Sequence, residues 1–250
     1  MPARRICHGL YVIPVGPVNT FLLDSPDGCV LIDTGFPKSE NTILKAIQQL
    51  GKRPNDIRHI VLTHAHPDHI GGAARLRRAT GAELYAHPAD EAILAHGAGF
   101  RPLYPAPGLK NGILFRLFIG RINSVDPVWV DQLVNDVQVL PIAGGIEAVH
   151  APGHCAGQLA LLWPQNGGVL FAADACANLF GLDLSVAYED FEEGKRSLNK
   201  LAELEFQIAC FGHGKAILHD AREQFRRLAR SSPPNSQQNK AGPKTKLNRR

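Results

Sequence analysis

Residues 63–72 read Thr-His-Ala-His-Pro-Asp-His-Ile-Gly-Gly, and no other stretch of the chain concentrates so many potential metal ligands. Three histidines and one aspartate fall within the six positions from 64 to 69. Residues 59–63 before them include a β-branched apolar run that predicts a buried strand, and Gly71 and Gly72 lead into a helix-like stretch. The motif therefore lies on a strand-to-helix loop, whose rigid base fixes the directions of its side chains. Imidazole and carboxylate suit zinc and similar divalent ions, so one loop could supply two metals, whereas isolated histidines more often cap a turn or face solvent.

The composition is that of a folded chain with a basic end. A chain of 250 residues with 44% hydrophobic content can bury a substantial core, and we expect residues 1–230 to form one domain. The net charge is +4, but the last twenty residues contain five Lys or Arg and no acid, which leaves the rest at −1. This basic tail, residues 231–250, is predicted to be disordered. A solubilising role for it is favoured over contact with nucleic acid or an anionic surface.

Cysteine usage indicates the compartment. Five cysteines without regular spacing argue against a disulfide framework and for reducing conditions, so we expect a cytoplasmic protein. The N-terminal segment is broken by glycines and prolines, unlike a secretory apolar region, and no run approaches the length of a membrane span.

Predicted strands and helices follow one another in the same order in both halves of the chain. Each half runs strands first and helices afterwards, and two sheets covered by outer helices would satisfy this order. The predicted strands are 10–15, 19–23, 29–32, 59–63, 83–86, 137–140, 146–149, 158–163, 168–173 and 207–211. The predicted helices are 39–50, 70–80, one begun by Pro88, 195–204 and 217–229.

Residues 97–127 interrupt this pattern, because they are irregular and rich in proline and glycine. The segment also carries aromatic and basic side chains, which makes it the best candidate for a substrate lid. A helical insertion that packs its aromatic residues into the core is an equally good interpretation, and both can hold together. The side chains concerned are Phe100, Arg101, Tyr104, Lys110, Phe115, Arg116, Phe118 and Arg121.

Three further positions carry a metal-capable side chain just after an apolar strand. His154 follows the strand at 146–149 through Ala151-Pro152-Gly153, Asp174 ends the strand at 168–173, and His213 follows the strand at 207–211. Buried strands would deliver all three to one edge of a sheet.

With these elements the chain resembles the metallo-β-lactamase superfamily over roughly residues 10–220. The matching stretches are Leu31-Ile32-Asp33-Thr34-Gly35, residues 63–69, Ala151-Pro152-Gly153-His154, the aspartate after Leu170-Phe171-Ala172-Ala173, and Gly212-His213-Gly214. The resemblance implies an α/β fold, an αββα sandwich of two mixed β-sheets flanked by helices. It also implies a ligand set, in which His64, His66 and His154 hold a first metal, Asp68, His69 and His213 hold a second, and Asp174 bridges the pair. Asp33 would lie behind the ligands and orient a histidine.

Two divalent cations about 3.5 to 4 Å apart define the chemistry that this ligand set implies. They would ionise a shared water, and the resulting metal-bridging hydroxide would attack an acyl carbon of a small-molecule substrate. Asp68 would help to steer the nucleophile. Cys155 and Cys176 lie beside ligands in the sequence, but their expected role is small apolar packing. Zinc is the first expectation for both ions, with iron or manganese as alternatives.

The aspartate at position 174 favours one branch of the superfamily. True β-lactamases usually lack it, so it points toward the branch that resembles glyoxalase II thioesterases and lactonases. Neither match is complete. Ala175-Cys176-Ala177-Asn178 stands where acyl-homoserine lactonases place a tyrosine, Tyr188 is too distant to assign, and Lys215-Ala216 replaces the acidic-aromatic pair of glyoxalase II. The sequence therefore predicts a hydrolase of an ester, thioester or lactone without naming the substrate.

Three other functions share parts of the pattern. A persulfide dioxygenase resembles it but holds one iron through two histidines and an aspartate. A metal-dependent nuclease is suggested by the basic tail, yet Arg and Lys form no stripe beside the motif. A non-catalytic metal-binding module is disfavoured because seven ligands around two metals leave positions open for water. Neither a membrane nor a nucleic acid is an expected partner, and the sequence does not set the oligomeric state.

Overall fold

Two β-sheets packed face to face form the centre of the molecule. The structure is a computed structural model, and it describes residues 2–118 and 122–234. The described strands are β1 (Arg4–Cys7), β2 (Leu10–Val15), β3 (Val18–Ser25), β4 (Gly28–Ile32), β5 (Ile57–Val61), β6 (Glu83–Ala86), β7 (Tyr104–Pro105), β8 (Gln132–Leu133), β9 (Gln138–Leu140), β10 (Ile146–His150), β11 (Leu159–Trp163), β12 (Val169–Phe171), β13 (Cys176–Asn178), β14 (Leu182–Leu184), β15 (Ala187–Tyr188) and β16 (Ile208–Cys210). The described helices are α1 (Glu40–Gln49), α2 (Pro67–Ile70), α3 (Ala73–Thr80), α4 (Glu91–His96), α5 (Leu109–Phe118), α6 (Phe191–Ala202) and α7 (Ala221–Ser231).

Both large sheets are mixed. The first has the order β1-β2-β3-β4-β5-β6-β8, in which β1 to β4 form an antiparallel meander and β4, β5, β6 and β8 run parallel. The second has the order β16-β12-β11-β10-β9 and is antiparallel except for the β12–β16 pair. Two short antiparallel pairs, β13–β14 and β7–β15, lie outside these sheets.

Alternation along the strands sorts the apolar side chains into layers. In β4, Val30 and Ile32 pack between the two sheets, while Cys29 and Leu31 face the helices outside the first sheet. Helices α1, α3 and α4 cover the outer face of the first sheet, and α6 and α7 cover that of the second. The predicted α/β fold, with two mixed sheets flanked by helices, is confirmed.

The helix predicted directly after the motif is in fact two helices, α2 and α3. A Cβ atom added to Gly71 would lie 2.2 Å from the backbone N of Pro37, and one on Gly72 would lie 2.5 Å from the carbonyl oxygen of Thr34. The chain beyond β4 thus approaches too closely for any side chain, and the backbone N–H of Thr34 donates to the carbonyl of His69 at 2.7 Å. This contact holds α2, which carries half of the motif, against the end of β4.

Two other helix boundaries differ from the prediction. Helix α6 begins earlier than predicted because the side chain of Asp190 accepts the backbone N–H of Glu193 at 3.0 Å and caps the first turn. Helix α7 begins later because Ile217 exchanges two backbone hydrogen bonds of 2.9 Å with Ala209 and so extends the strand region.

The segment 97–127 is not irregular throughout, since it contains β7 and α5. Strand β7 pairs with β15, and the backbone N–H of Ala106 donates to Val186 at 2.8 Å, so the segment is fastened to the part of the chain that precedes α6. Residues 119–121, which include Arg121, lie outside the described residues, as do residues 235–250 of the predicted basic tail. None of the described helices combines the length and apolarity needed to cross a bilayer.

Candidate metal centre

The carboxyl ends of five strands bring the predicted site residues to one edge of the sandwich. Strands β4 and β5 run parallel in the first sheet, and β10, β12 and β16 end at the same edge of the second. Two non-glycine residues at these ends have a positive φ, Asp33 at 60° and Ala173 at 48°. The left-handed conformation is uncommon for such residues and turns the chain sharply where Asp33 and Asp174 enter the site.

Backbone hydrogen bonds join the two sheets at this edge. The N–H of Leu159 donates to the carbonyl of Thr63 at 2.8 Å, and the N–H of Asn19 donates to the carbonyl of Gly212 at 2.8 Å. The side-chain amide of Asn19, which is buried, also donates to Phe211 at 3.0 Å and to Gly214 at 2.8 Å. The loops that carry the motif and His213 are therefore fixed relative to one another.

All seven predicted ligands lie together in the structure. They form two groups in which the potential ligand atoms are within 4.8 Å of one another, and a third set of three links the groups. The first group is His64, His66 and His154, the second is Asp68, His69 and His213, and the linking set is His64, His69 and Asp174. The structure thus brings every one of these residues to one place, and their role as ligands is a proposal developed below.

The histidines have a common orientation. In four of them the Nδ1 atom faces a fixed oxygen acceptor, so in the neutral ring that atom carries the proton and the Nε2 atom keeps its lone pair. The pairs are His64 with the Thr63 hydroxyl at 3.1 Å, His69 with Asp33 at 2.8 Å, His154 with the Ala187 carbonyl at 2.7 Å and His213 with the Pro17 carbonyl at 3.0 Å. His66 differs, because its Nδ1 atom lies 2.8 Å from Nε2 of His154.

Asp33 reaches both groups of histidines. Its Oδ2 atom accepts from Nδ1 of His69 and from the hydroxyl of Thr63, each at 2.8 Å, while Oδ1 accepts the backbone N–H of Thr63 at 2.8 Å. Because the Thr63 hydroxyl donates to Asp33, it must accept from Nδ1 of His64. One buried carboxylate therefore sets the tautomer of a histidine in each group.

Asp174 lies between the groups. Its Oδ2 atom is 3.6 Å from Nε2 of His154 in the first group, and 3.6 Å and 3.2 Å from Nε2 of His69 and His213 in the second. The Oδ2 atom of Asp68 is 3.3 Å from Nε2 of His213 on the other side. Several of these distances are too long for good hydrogen bonds, but they suit donors arranged around a common centre.

Several buried polar atoms at this centre have no hydrogen-bond partner. They are Nε2 of His64, Nε2 of His66, Nε2 of His69 and Oδ1 of Asp174. Buried polar atoms in folded proteins are rarely left without a partner. Lone pairs that converge without donors fit a set of ligands for divalent cations, and imidazole with carboxylate is the donor set that zinc and related metals use.

The electrostatics differ between the two groups. Burial lowers the pKa of His64, His66 and His154, so all three are neutral imidazoles near pH 7, the form that binds metals. Burial also lowers the pKa of His69 and His213, but nearby carboxylates, above all Asp174, outweigh it and raise both. Without a bound cation, the carboxylates of the second group favour the protonated forms of His69 and His213. A bound cation would displace these protons.

A cavity of about 530 Å³ opens above the centre. His66, Asp68, His154, Asp174 and His213 form its floor. Its walls are mostly apolar and come largely from the segment 97–127, with Phe36 and Pro67 opposite. The wall residues in that segment are Phe100, Arg101, Pro102, Leu103, Phe115, Ile122 and Asn123. The segment 97–127 therefore lines this cavity and also contains the helix α5, while its role as a substrate lid stays a prediction.

The sequence did not indicate several residues that support the site. Thr63 lies at the start of the motif, but the sequence pattern predicts no role for its hydroxyl. Asp90 accepts the backbone N–H of Ala65 at 2.8 Å, and Glu189 accepts that of Ala156 at 3.0 Å, so each carboxylate holds a histidine-bearing loop. Neither belongs to a motif or ends a predicted strand, and no local pattern marks it.

Comparison of this chain with known protein families agrees with the fold and with the candidate metal centre. Residues 13–213 match the metallo-beta-lactamase superfamily. The chain belongs to this superfamily and is a metal-dependent hydrolase.

Similar proteins give the range of chemistry on this fold. An N-acyl homoserine lactonase of a Bacillus species is 25% identical over 227 residues, which cover 79% of this chain and 81% of that protein. Thioesterase pkgB of Emericella nidulans is 28% identical over 202 residues, which cover 80% of this chain but 47% of that protein. The solved structure of a beta-lactamase from Chitinophaga pinensis has a TM-score of 0.69 and 25% identity, covering 92% of this chain and 91% of the other.

Proposed function

We propose that this protein is a two-metal hydrolase of a small, uncharged ester, thioester or lactone with an apolar group. The observation that carries the proposal is the arrangement of two ligand groups around Asp174 on the floor of an apolar cavity. The resemblance to a lactonase over most of both chains supports the same class of reaction.

The geometry supports one assignment of the residues that would hold the metals. His64, His66 and His154 would hold the first cation, Asp68, His69 and His213 the second, and Asp174 would contact both. Zinc is the expected metal, because three neutral imidazoles on one side and carboxylates with imidazoles on the other are its usual donors. When bound, divalent cations lower the pKa of coordinated water and polarise a carbonyl oxygen.

The chain itself would contribute orientation and proton handling. Asp33 holds His69 and, through Thr63, His64 in the tautomers that leave Nε2 free. Asp68 is the more exposed of the two carboxylates on the cavity floor, with 24% of its side chain accessible against 7% for Asp174. This exposure supports a role in which Asp68 would orient an attacking water and accept its proton.

The cavity walls indicate the substrate. Phe36, Phe100, Leu103, Phe115 and Ile122 present apolar side chains above the floor, and these favour an apolar acyl or alkyl group. Among the described lining residues Arg101 is the one Lys or Arg, and its guanidinium already pairs with Asp90 and Glu189. A substrate carboxylate would therefore find no free Lys or Arg among the described residues of these walls, which favours an uncharged substrate.

A panel of substrates tests this proposal. Zinc-loaded protein is assayed on nitrophenyl esters, acyl thioesters and alkyl lactones of increasing chain length, each with a matched compound that carries a terminal carboxylate. We expect kcat/KM to rise with chain length for the neutral series and to fall by at least tenfold for the carboxylates.

The variants Asp68→Ala and Asp174→Ala should lose hydrolysis while circular dichroism shows an unchanged fold. Hydrolysis that survives both substitutions would refute the assignment. If the iron-loaded protein consumed oxygen with a persulfide and hydrolysed none of these substrates, a persulfide dioxygenase would be favoured over a hydrolase.

A further inference from the structure

Arg101 joins the segment 97–127 to the buried carboxylate of Asp90 and the partly buried carboxylate of Glu189. Its Nε atom donates to Glu189 at 2.8 Å, its Nη2 atom donates to Asp90, and its Nη1 atom donates to the carbonyl of Ala89 at 3.0 Å. The Asp90 side chain is only 2% exposed and that of Glu189 only 16%. A guanidinium can serve two carboxylates at once because its donors have a fixed fork geometry, which a lysine lacks.

Each of these carboxylates uses its other oxygen to hold a loop that bears histidines. Oδ2 of Asp90 accepts the N–H of Ala65, which lies between His64 and His66. Oε2 of Glu189 accepts the N–H of Ala156, two residues after His154. Arg101 therefore bridges the two loops whose imidazoles, His66 and His154, face each other at 2.8 Å.

Backbone contacts reinforce this connection on the side of His154. The N–H of Glu189 donates to the carbonyl of His154 at 3.1 Å, and the carbonyl of Ala187 accepts from Nδ1 of His154 at 2.7 Å. Ala187 is also paired with Pro105 in the β15–β7 ladder. The segment that walls the cavity and the loop that presents His154 thus share one support.

Close packing leaves the carboxylate of Asp90 little freedom to find another partner. A Cβ atom on Gly157 would lie 2.2 Å from Cγ of Asp90, so the loop after His154 lies directly against this carboxylate. Without the guanidinium of Arg101, a buried negative charge would lose the cation beside it, and such a charge tends to draw in water or to shift its surroundings.

We propose that Arg101 is a positioning residue. By holding the segment 97–127 against Asp90 and Glu189, it would strengthen metal binding by the group of His64, His66 and His154. The inference rests on the proposed function, since it concerns the same metals. Coupling of this kind is reciprocal. If attachment of the segment 97–127 strengthens metal binding, metal binding should stabilise that attachment by the same free energy.

The first test is zinc affinity. Metal-free protein is titrated with zinc in competition with a chromophoric chelator, for the wild type, Arg101→Ala, Arg101→Lys and the control Arg77→Ala. Arg77 is a close match: it pairs with Asp131, whose other oxygen accepts the N–H of Leu84 at 2.8 Å, and its side chain is 31% exposed against 28% for Arg101. Arg77 lies on α3 and Asp131 directly before β8, and neither belongs to the ligand groups.

We expect zinc to bind at least tenfold more weakly to Arg101→Ala, as when groups that support metal ligands are removed. Arg101→Lys should recover only part of the affinity, because one ammonium cannot hold two carboxylates in the same geometry. Arg77→Ala should stay within twofold of the wild type.

The second test is hydrogen exchange. If Arg101 only stabilised the fold, its loss would not remove the zinc-dependent protection of the cavity wall. In the wild type, zinc should slow exchange at the amides of Ala65 and Ala156 and also at residues 103–106 of the wall. In Arg101→Ala, zinc should still slow Ala65 and Ala156 but should leave residues 103–106 unprotected.

Three results are decisive. A folded Arg101→Ala that binds zinc as tightly as the wild type, or that keeps the zinc-dependent protection of residues 103–106, overturns the inference and leaves the hydrolase proposal intact. Failure of the wild type to bind zinc defeats both. Should Arg101→Ala not fold, Arg101→Lys and Glu189→Gln decide the question, because each keeps the volume of the side chain and should weaken zinc binding at least threefold.

Discussion

Replacement of Asp33 by asparagine tests how one buried carboxylate sets the metal centre. The new amide keeps one oxygen, which can still accept the N–H of Thr63, but it places an NH₂ group where Oδ2 accepted from His69 and from the Thr63 hydroxyl. His69 would then accept at Nδ1 and carry its proton on Nε2, the atom that faces Asp68 and Asp174. A neutral imidazole with a proton on Nε2 offers no lone pair to a cation there.

The expected magnitude follows from the role of Asp33 behind the ligands. Loss of such a partner costs about 10- to 100-fold in metal affinity, equivalent to roughly 1.4 to 2.8 kcal/mol. The loss should fall mainly on the second metal, because His64 in the first group contacts Thr63 and not Asp33 itself. Hydrolysis should decline with occupancy of the second site and should recover partly at high zinc concentration.

Calorimetric titration of metal-free protein with zinc measures both steps. The matched control is Asp131→Asn, since Asp131 also accepts a backbone N–H and pairs with a cation but lies directly before β8, the edge strand of the first sheet. An Asp33→Asn protein that takes up two equivalents of zinc with wild-type affinity would refute the reasoning about the tautomer.

Two further predictions concern packing and pH. Gly212→Ala should abolish hydrolysis, because its Cβ would lie 2.1 Å from Oδ1 of Asp174, whereas Gly112→Ala in α5, which meets nothing within 4 Å, should leave the measured kcat within about twofold of wild type. Equal activity of the two variants would contradict the packing argument. Burial, together with the charge of Asp24, raises the pKa of the Cys29 thiol to about 11 from an ordinary 9.0. The protonated thiol therefore contributes fully to the stability of the fold below pH 9, and this contribution is lost as the pH rises through 11. Denaturant unfolding of metal-free protein between pH 8 and pH 11 should show a steeper loss for the wild type than for Cys29→Ala, and parallel curves would show that Cys29 does not titrate in this way.

The sequence predicted those parts of the site that depend on local patterns. Apolar strands followed by a histidine or aspartate can be read directly, and the ends of parallel strands meet at one edge, so the convergence of His154 and Asp174 with the motif could be expected. The break at Gly71 and Gly72 could not, because it depends on contacts with residues more than thirty positions earlier.

Side-chain contacts between distant parts of the chain could not be predicted from the sequence either. The sequence marks Arg101 only as a basic residue of the segment 97–127, and its partners Asp90 and Glu189 have no spacing that marks them. Tyr188 could not be assigned. In the structure its hydroxyl accepts the N–H of Ser185 at 2.8 Å and donates to the carbonyl of Ala175 at 3.3 Å, so it supports the loop after Asp174.

The most direct test of the account is anomalous diffraction from crystals of the zinc-loaded protein, recorded at the zinc absorption edge. Two peaks are expected about 3.5 to 4 Å apart, one beside His64, His66 and His154 and one beside Asp68, His69 and His213, with Asp174 between them. A single peak, or no peak after loading with zinc, manganese or iron, would contradict it.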